Sequence, residues 1–348
     1  MVNKMVNNKI LRLSLLAVCC ASAAETVPPG SGLTVHEWGT FTSVADAKGN
    51  AQMWLPLAAP SDLPCFVHRL NRGDTKAVLG SLVRMETPVL YFYAAHSLTA
   101  NVKVRFPQGI VTEWYPQADT KDGVEWKQIA LSAARGPVPY ESNPSHYYAA
   151  RETDAMTVDT AGEQDRMIFY RGVGYFEPPL GPTVDGAGHV QVGDPQAIVF
   201  ENRGGNDANA EVARRKLYSA LVDSGLYPKE AHAMLETWRD SWFEEGLRVF
   251  CIVPRWFVDA QLPLSISPRP ENLVRTFVGR IELLAPWMRD EIADALRNGD
   301  TQTLARRGRF LRPFLDQMGD LPRNPAVAAW LKEKQDEGAR QFLKSGCD

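Results

Sequence analysis

The sequence predicts an α+β fold, with an antiparallel, β-rich and sandwich-like N-terminal half packed on a mixed α/β C-terminal half. Three observations predict it. From residue 33 to about residue 201, apolar and polar residues alternate in short runs broken by Pro, Gly and Asn, as in half-buried strands and turns. Near residue 206 the hydrophobic period changes from two to that of a helix. Strand character then returns before the chain ends in helices. The expected organisation is a signal peptide at 1–24, a β-rich domain at 25–205 and a mixed region at 206–348.

The first 24 residues carry only positive charge, from Lys4, Lys9 and Arg12. An apolar stretch through Leu15, Leu16 and Val18 follows, then the small residues Ala21, Ser22, Ala23 and Ala24. That order is the grammar of a secretory signal, with cleavage expected near Ala24 or Glu25 and a periplasmic or extracellular destination. The apolar run is too short to span a bilayer and no later segment reaches about 20 apolar residues, so no transmembrane helix is expected in the mature chain. Cys19 follows Val18 and Cys20 follows Cys19, not the Gly, Ala or Ser of a lipoprotein signal, so a lipid anchor is not expected. Cleavage leaves Cys65, Cys251 and Cys347, enough for one pair in an oxidising compartment.

Strands are expected at 35–44, 89–93, 102–106 and 167–171, all rich in β-branched and aromatic residues. A helix at 208–224 presents Ala213, Leu217, Ala220 and Leu221 on one face and stops at Gly225. A second opens at Pro228, carries the apolar stripe Ala231, Met234, Leu235, Trp238 and Trp242, and ends at Gly246. Strands are expected again at 248–253, 262–266 and 276–284, then helices from Pro286, from Asp300 and over 324–343.

Several of these segments carry longer strings. Residues 35–44 (VHEWGTFTSV), 85–93 (METPVLYFY), 146–151 (HYYAAR), 169–174 (FYRGVG), 237–246 (TWRDSWFEEG) and 277–282 (FVGRIE) resemble a family of exported bacterial proteins with no assigned activity. The resemblance covers nearly all of the mature chain. It implies export and one shared architecture, and it carries over no catalytic residue.

The chain of 348 residues is 45% hydrophobic and 23% charged, with a formal net charge of -3. Without its basic first 24 residues it nets -6, which leaves no basic field for nucleic acid. Arg306, Arg307, Arg309 and Arg312 form the one basic cluster, expected to bridge to the protein's own carboxylates. Zinc-peptidase, nucleophile-elbow, dinucleotide and phosphate-loop motifs are absent.

Candidate residues are polar groups set in apolar strands, where burial is costly unless they are paired or bind something. His36 and Glu37 point to opposite faces of one strand, so one or the other should be buried. Glu86, before Thr87 and Pro88, reads as an acid at a sheet edge or a solvated turn carboxylate; Glu37 and Glu86 are the catalytic candidates. His146, Tyr148 and Arg151 combine imidazole, phenol and guanidinium suited to an anionic or sugar-like ligand; the alternative is a strand pair with an internal Arg–Asp salt bridge. His36, Glu86 and His146 are candidate donors for a divalent metal ion. Trp238 and Trp242 are expected in the core, and Glu244 and Glu245 paired with an arginine such as Arg248 or Arg255. The leading expectation is a binding protein for a small-molecule, saccharide or envelope partner. A metal-assisted hydrolase using His36, Glu86 and His146 is the alternative.

Overall fold

The computed structural model describes residues 32–57, 63–71, 75–142, 145–204 and 207–343. The expected signal peptide, with Cys19 and Cys20, lies outside the described residues, as does Cys347. In chain order the first strands are β1 (Thr34–Ala45), β2 (His68–Arg69), β3 (Val83–Tyr93), β4 (Leu98–Val104) and β5 (Gly109–Tyr115). Then come β6 (Val124–Ser132), β7 (Thr157–Thr160), β8 (Glu163–Asp165), β9 (Ile168–Gly174) and the small hairpin of β10 (Thr183–Val184) and β11 (Val190–Gln191). β12 (Ile198–Asn202), β13 (Gly246–Val253), β14 (Leu264–Ser267) and β15 (Asn272–Leu283) complete the strands. The helices are α1 (Thr75–Val78), α2 (Asp207–Asp223), α3 (Pro228–Thr237), α4 (Arg239–Trp242) and α5 (Arg255–Gln261). They continue with α6 (Pro286–Asn298), α7 (Thr301–Ala305), α8 (Leu311–Met318) and α9 (Pro325–Leu343).

The fold is α+β. One sheet runs β12-β13-β15-β1-β3-β9-β5-β2 and a second runs β14-β4-β6-β7-β8. β13 and β15 extend the sheet that β1 and β3 begin, and Ser31–Asp348 forms one compact unit. The division expected at 205/206 is therefore not a domain boundary, because late strands complete an early sheet. β1 and β15 also pair in parallel, a departure from the antiparallel expectation that their wide separation in sequence permits.

The large sheet is a middle layer. On one face Val35, Phe41, Leu90, Phe92 and Phe277 pack against Val102, Val104, Trp126 and Ile129 of the second sheet. On the other, Trp38, Val89, Tyr91 and Val278 meet Leu217 and Leu221 of α2, Met234 of α3, Trp242 of α4 and Trp238 between the last two. Further along, Val44, Ile281 and Leu283 meet Met288, Ile292, Phe310 and Phe314. With both faces covered, His36 and Glu37 are both fully buried, where alternation predicts one. No helix among the described residues is long and apolar enough to cross a membrane.

Two local expectations are corrected. The helix expected from 228 to 246 breaks at Trp238, whose φ of -108° and ψ of 9° leave the helical region between α3 and α4. The Thr237 hydroxyl bonds back to the Ala233 carbonyl, a contact that bends helices, and both tryptophans still reach the core with stacked rings 6.3 Å apart. The segment from His146 is no strand but a 3₁₀ helix, His146–Arg151, capped by the Ser145 side chain.

Gly172 in β9 shows how closely the large sheet packs: a Cβ there would stand 2.1 Å from the Ile110 carbonyl oxygen of β5. Gly172→Ala is expected to cost about 2 kcal/mol, seen as a lower urea midpoint at unchanged slope. An unchanged midpoint would mean that β5 yields without loss.

Candidate functional site

Three register shifts fall at one level of the large sheet. They lie between Trp38 and Thr40 in the β1–β3 ladder, Met85 and Val89 in β3–β9, and Val111 and Glu113 in β5–β9. Sequence explains the first two. Pro88 cannot donate to a ladder, so β3 carries an extra residue here, and Thr87 sits at φ 51°, a left-handed conformation strained for a β-branched residue. Bulges aligned in neighbouring strands re-aim side chains, and strained backbone clusters at functional sites.

The side chains gathered at this level are polar and buried. Glu86 accepts from the Thr42 hydroxyl at 2.9 Å and forms a forked pair with Arg309. Burial pushes the Glu86 carboxyl up, but the Arg309 guanidinium, helped by Lys76 and Arg84, holds it well below the usual carboxylate range. Glu113 binds Arg171 Nε at 2.8 Å and the Thr112 hydroxyl at 2.6 Å through Oε2 alone. Its Oε1, with the Thr40 and Thr87 hydroxyls, is buried without a hydrogen-bond partner among the described residues. Lys76 reaches in from α1 and donates to the Met85 carbonyl at 2.8 Å, with no carboxylate paired to it among the described residues. Burial, reinforced by Arg171, lowers its ammonium to about 7. Unsatisfied donors and acceptors at one sealed level call for bound water or a ligand. Arg309 is the member that meets solvent, with 22% of its side chain exposed.

Glu86 is thus buried, as one reading of the sequence expects, but within a central strand. Pro88 marks a bulge, not a sheet edge. The anionic-ligand expectation for His146, Tyr148 and Arg151 meets a different arrangement. Arg151 binds both oxygens of Asp165, at 2.9 and 2.6 Å, and the Pro139 carbonyl at 2.7 Å. The Phe66, Tyr140 and Tyr148 rings surround its guanidinium, so no donor faces a ligand. The cavity beside it, lined by Phe66, Tyr115, Tyr148 and Phe169, is about 20 Å³, room for a water and not for a sugar. His146 Nδ1 lies 2.5 Å from the Thr237 carbonyl and joins the 3₁₀ helix to the end of α3. A wider open cleft of about 560 Å³ lies nearby between Arg135, Asp154, Lys229 and His232, with Lys229 and Asp154 paired at 2.6 Å.

The metal expectation also fails on geometry. His36 Nδ1 binds Glu230 at 2.7 Å, Glu86 binds Arg309, and His146 binds a backbone carbonyl. The three residues are held by three different partners and do not converge, and no group of three or more His, Cys, Asp or Glu among the described residues could hold a metal ion. Glu37, on the opposite sheet face, accepts from the Tyr170 hydroxyl at 2.5 Å and pairs with Arg275.

The basic cluster does bridge to the protein's own carboxylates: Arg306 and Arg307 to Glu245, Arg309 to Glu86, and Arg312 to Asp316. Glu244 pairs with Arg280, while Arg248 donates to the backbone carbonyls of Glu244 and Glu245. Sequence reasoning missed Lys76, Glu113, Arg171 and the two threonines. Pro88 is the one signal that pointed toward them. No protein-family model, curated protein or solved structure matches the chain.

Proposed function

We propose that the protein is exported and binds a compact, hydroxyl-bearing polar molecule at the aligned bulges of the large sheet. The observation that carries the reading is the coincidence at one level of strained Thr87, three register shifts and three unpartnered buried polar atoms. Hydroxyl donors from Thr40 and Thr87, the amine of Lys76 and the spare acceptor of Glu113 match a ligand that both donates and accepts. Support for export comes from the order of charge, apolar run and small residues in 1–24, and from Cys65, which is disulfide-bonded. Cys251 is a free thiol, pushed up to about 12 by burial, and is not the partner of Cys65.

Thermal unfolding with glycerol, glycolate or glycolaldehyde tests the reading. A rise in Tm is expected with at least one, following the mass-action stabilisation of a native-state ligand. Thr87→Gly relieves the left-handed strain and is expected to raise stability by up to about 1 kcal/mol while weakening the ligand response. If the variant is less stable and responds as before, the strained threonine serves the fold alone. A response that survives there but disappears in Lys229→Ala would move the ligand to the open cleft.

A further inference from the structure

The chemistry of the bulge site centres on Lys76. Its side chain is buried and its nitrogen donates to the Met85 carbonyl, 2.8 Å away, its one hydrogen bond among the described residues. Glu86 and Arg84 of β3, Arg171 of β9 and Glu113 of β5 are the charges that act on it. Glu86 and Glu113 are engaged by Arg309 and Arg171, which leaves the amine without a paired carboxylate among the described residues. Burial and the neighbouring guanidiniums of Arg171 and Arg84 outweigh the two arginine-bound carboxylates and favour the neutral amine, the form that attacks carbonyl carbon.

We propose that Lys76 is a reactive amine whose ε-nitrogen condenses with the carbonyl carbon of a small hydroxylated aldehyde or ketone held at the aligned bulges. The proposal rests on the ligand reading above and names its substrate class. The nitrogen lone pair forms the C–N bond as the carbonyl π pair moves to oxygen. Glu113, through the oxygen that has no partner, relays the surplus ammonium proton to that oxygen to give the carbinolamine. The C–O bond then breaks, water leaves with a proton from nitrogen, and an imine remains. Amine and carbonyl give imine and water, with no oxidant or reductant consumed. The Thr40 and Thr87 hydroxyls and Glu113 Oε1 supply the partners that a hydroxylated chain requires.

Reductive trapping reads this out directly. The full chain is treated at pH 7 with limiting glycolaldehyde and cyanoborohydride, then mapped by peptide mass. With its ammonium lowered to about 7, roughly half of Lys76 is neutral at that pH, against fewer than about one in a thousand for a lysine in water. Lys76 is therefore expected to carry the first adduct, at least tenfold ahead of the exposed Lys127 and Lys229, and Lys76→Met is expected to remove it. Glu113→Gln removes both the proton relay and an acceptor of the ligand, so it is expected to slow the adduct about tenfold and to lower the thermal shift that glycolaldehyde produces. Labelling of Lys76 no faster than Lys127 overturns the proposal. If glycolaldehyde still raises Tm in that case, the binding site stands and the condensation falls. If it gives neither shift nor adduct, and glycerol and glycolate give no shift, both fall.

Discussion

Arg275→Met is expected to destabilise the protein by about 3–5 kcal/mol. Arg275 and Glu37 have side chains 1% and 0% exposed, and the pair is sealed between the large sheet and the second sheet. Arg275 also donates to Asp259 at 2.7 Å and to the Leu262 carbonyl at 2.8 Å. Methionine fills much the same volume but leaves the Glu37 carboxylate with the Tyr170 hydroxyl as its remaining side-chain donor among the described residues. An isolated buried carboxylate costs far more than the packing gained. Removing both charges together, as Glu37→Leu with Arg275→Met, is expected to recover much of the loss, because replacing a whole buried pair by apolar residues is often near neutral. Urea unfolding of the two single variants and the double variant gives the coupling. A double variant as damaged as the sum of the singles would mean that lost contacts, not an orphaned charge, set the cost.

That pair also shows what a sequence of this kind can and cannot say. Alternation in 35–44 correctly places His36 and Glu37 on opposite faces, because the period of a strand is local. Which face is covered is not local. The covers come from β4 and β6 on one side and from α2, α3 and α4 on the other, so both residues are buried. Helices and most strands were legible from periodicity, and Trp238 and Trp242 from their i, i+4 spacing. The site was legible only at Pro88. A proline in an apolar strand means an edge or a bulge, and the choice depends on whether β9 pairs beyond it. Lys76 lies in a four-residue helix too short to show a period, and nothing in its neighbourhood distinguishes it from a surface lysine. Arg151 was read from composition as a ligand donor or one half of an Arg–Asp bridge. Its partner Asp165 sits 14 residues on, and only the folded hairpin of β7 and β8 closes the bridge.

Glu86→Gln is expected to cost about 3 kcal/mol at pH 7, and the cost is expected to shrink in acid. Glutamine keeps the shape and the Thr42 contact but removes the charge that Arg309 binds from 223 residues away. It thereby loosens the join between β3 and the helical segment carrying Arg307 and Arg309. The pH dependence follows from the direction of the shift. The folded-state carboxyl is held below its unfolded value, so its stabilisation is complete above an unfolded pKa of about 4.3 and is lost as pH falls toward the folded value. Below about pH 4.3 the wild type therefore loses about 1.4 kcal/mol per pH unit that the variant has already lost. At pH 3 the gap should have narrowed by roughly 2 kcal/mol. Other buried carboxylates with a lowered pKa, such as Glu282, are common to both proteins and cancel in the difference. Urea midpoints at pH 7, 4 and 3 measure it. A gap of the same size at pH 7 and pH 3 would place the loss in packing and remove the Glu86–Arg309 charge pair as the clamp on the bulged strand.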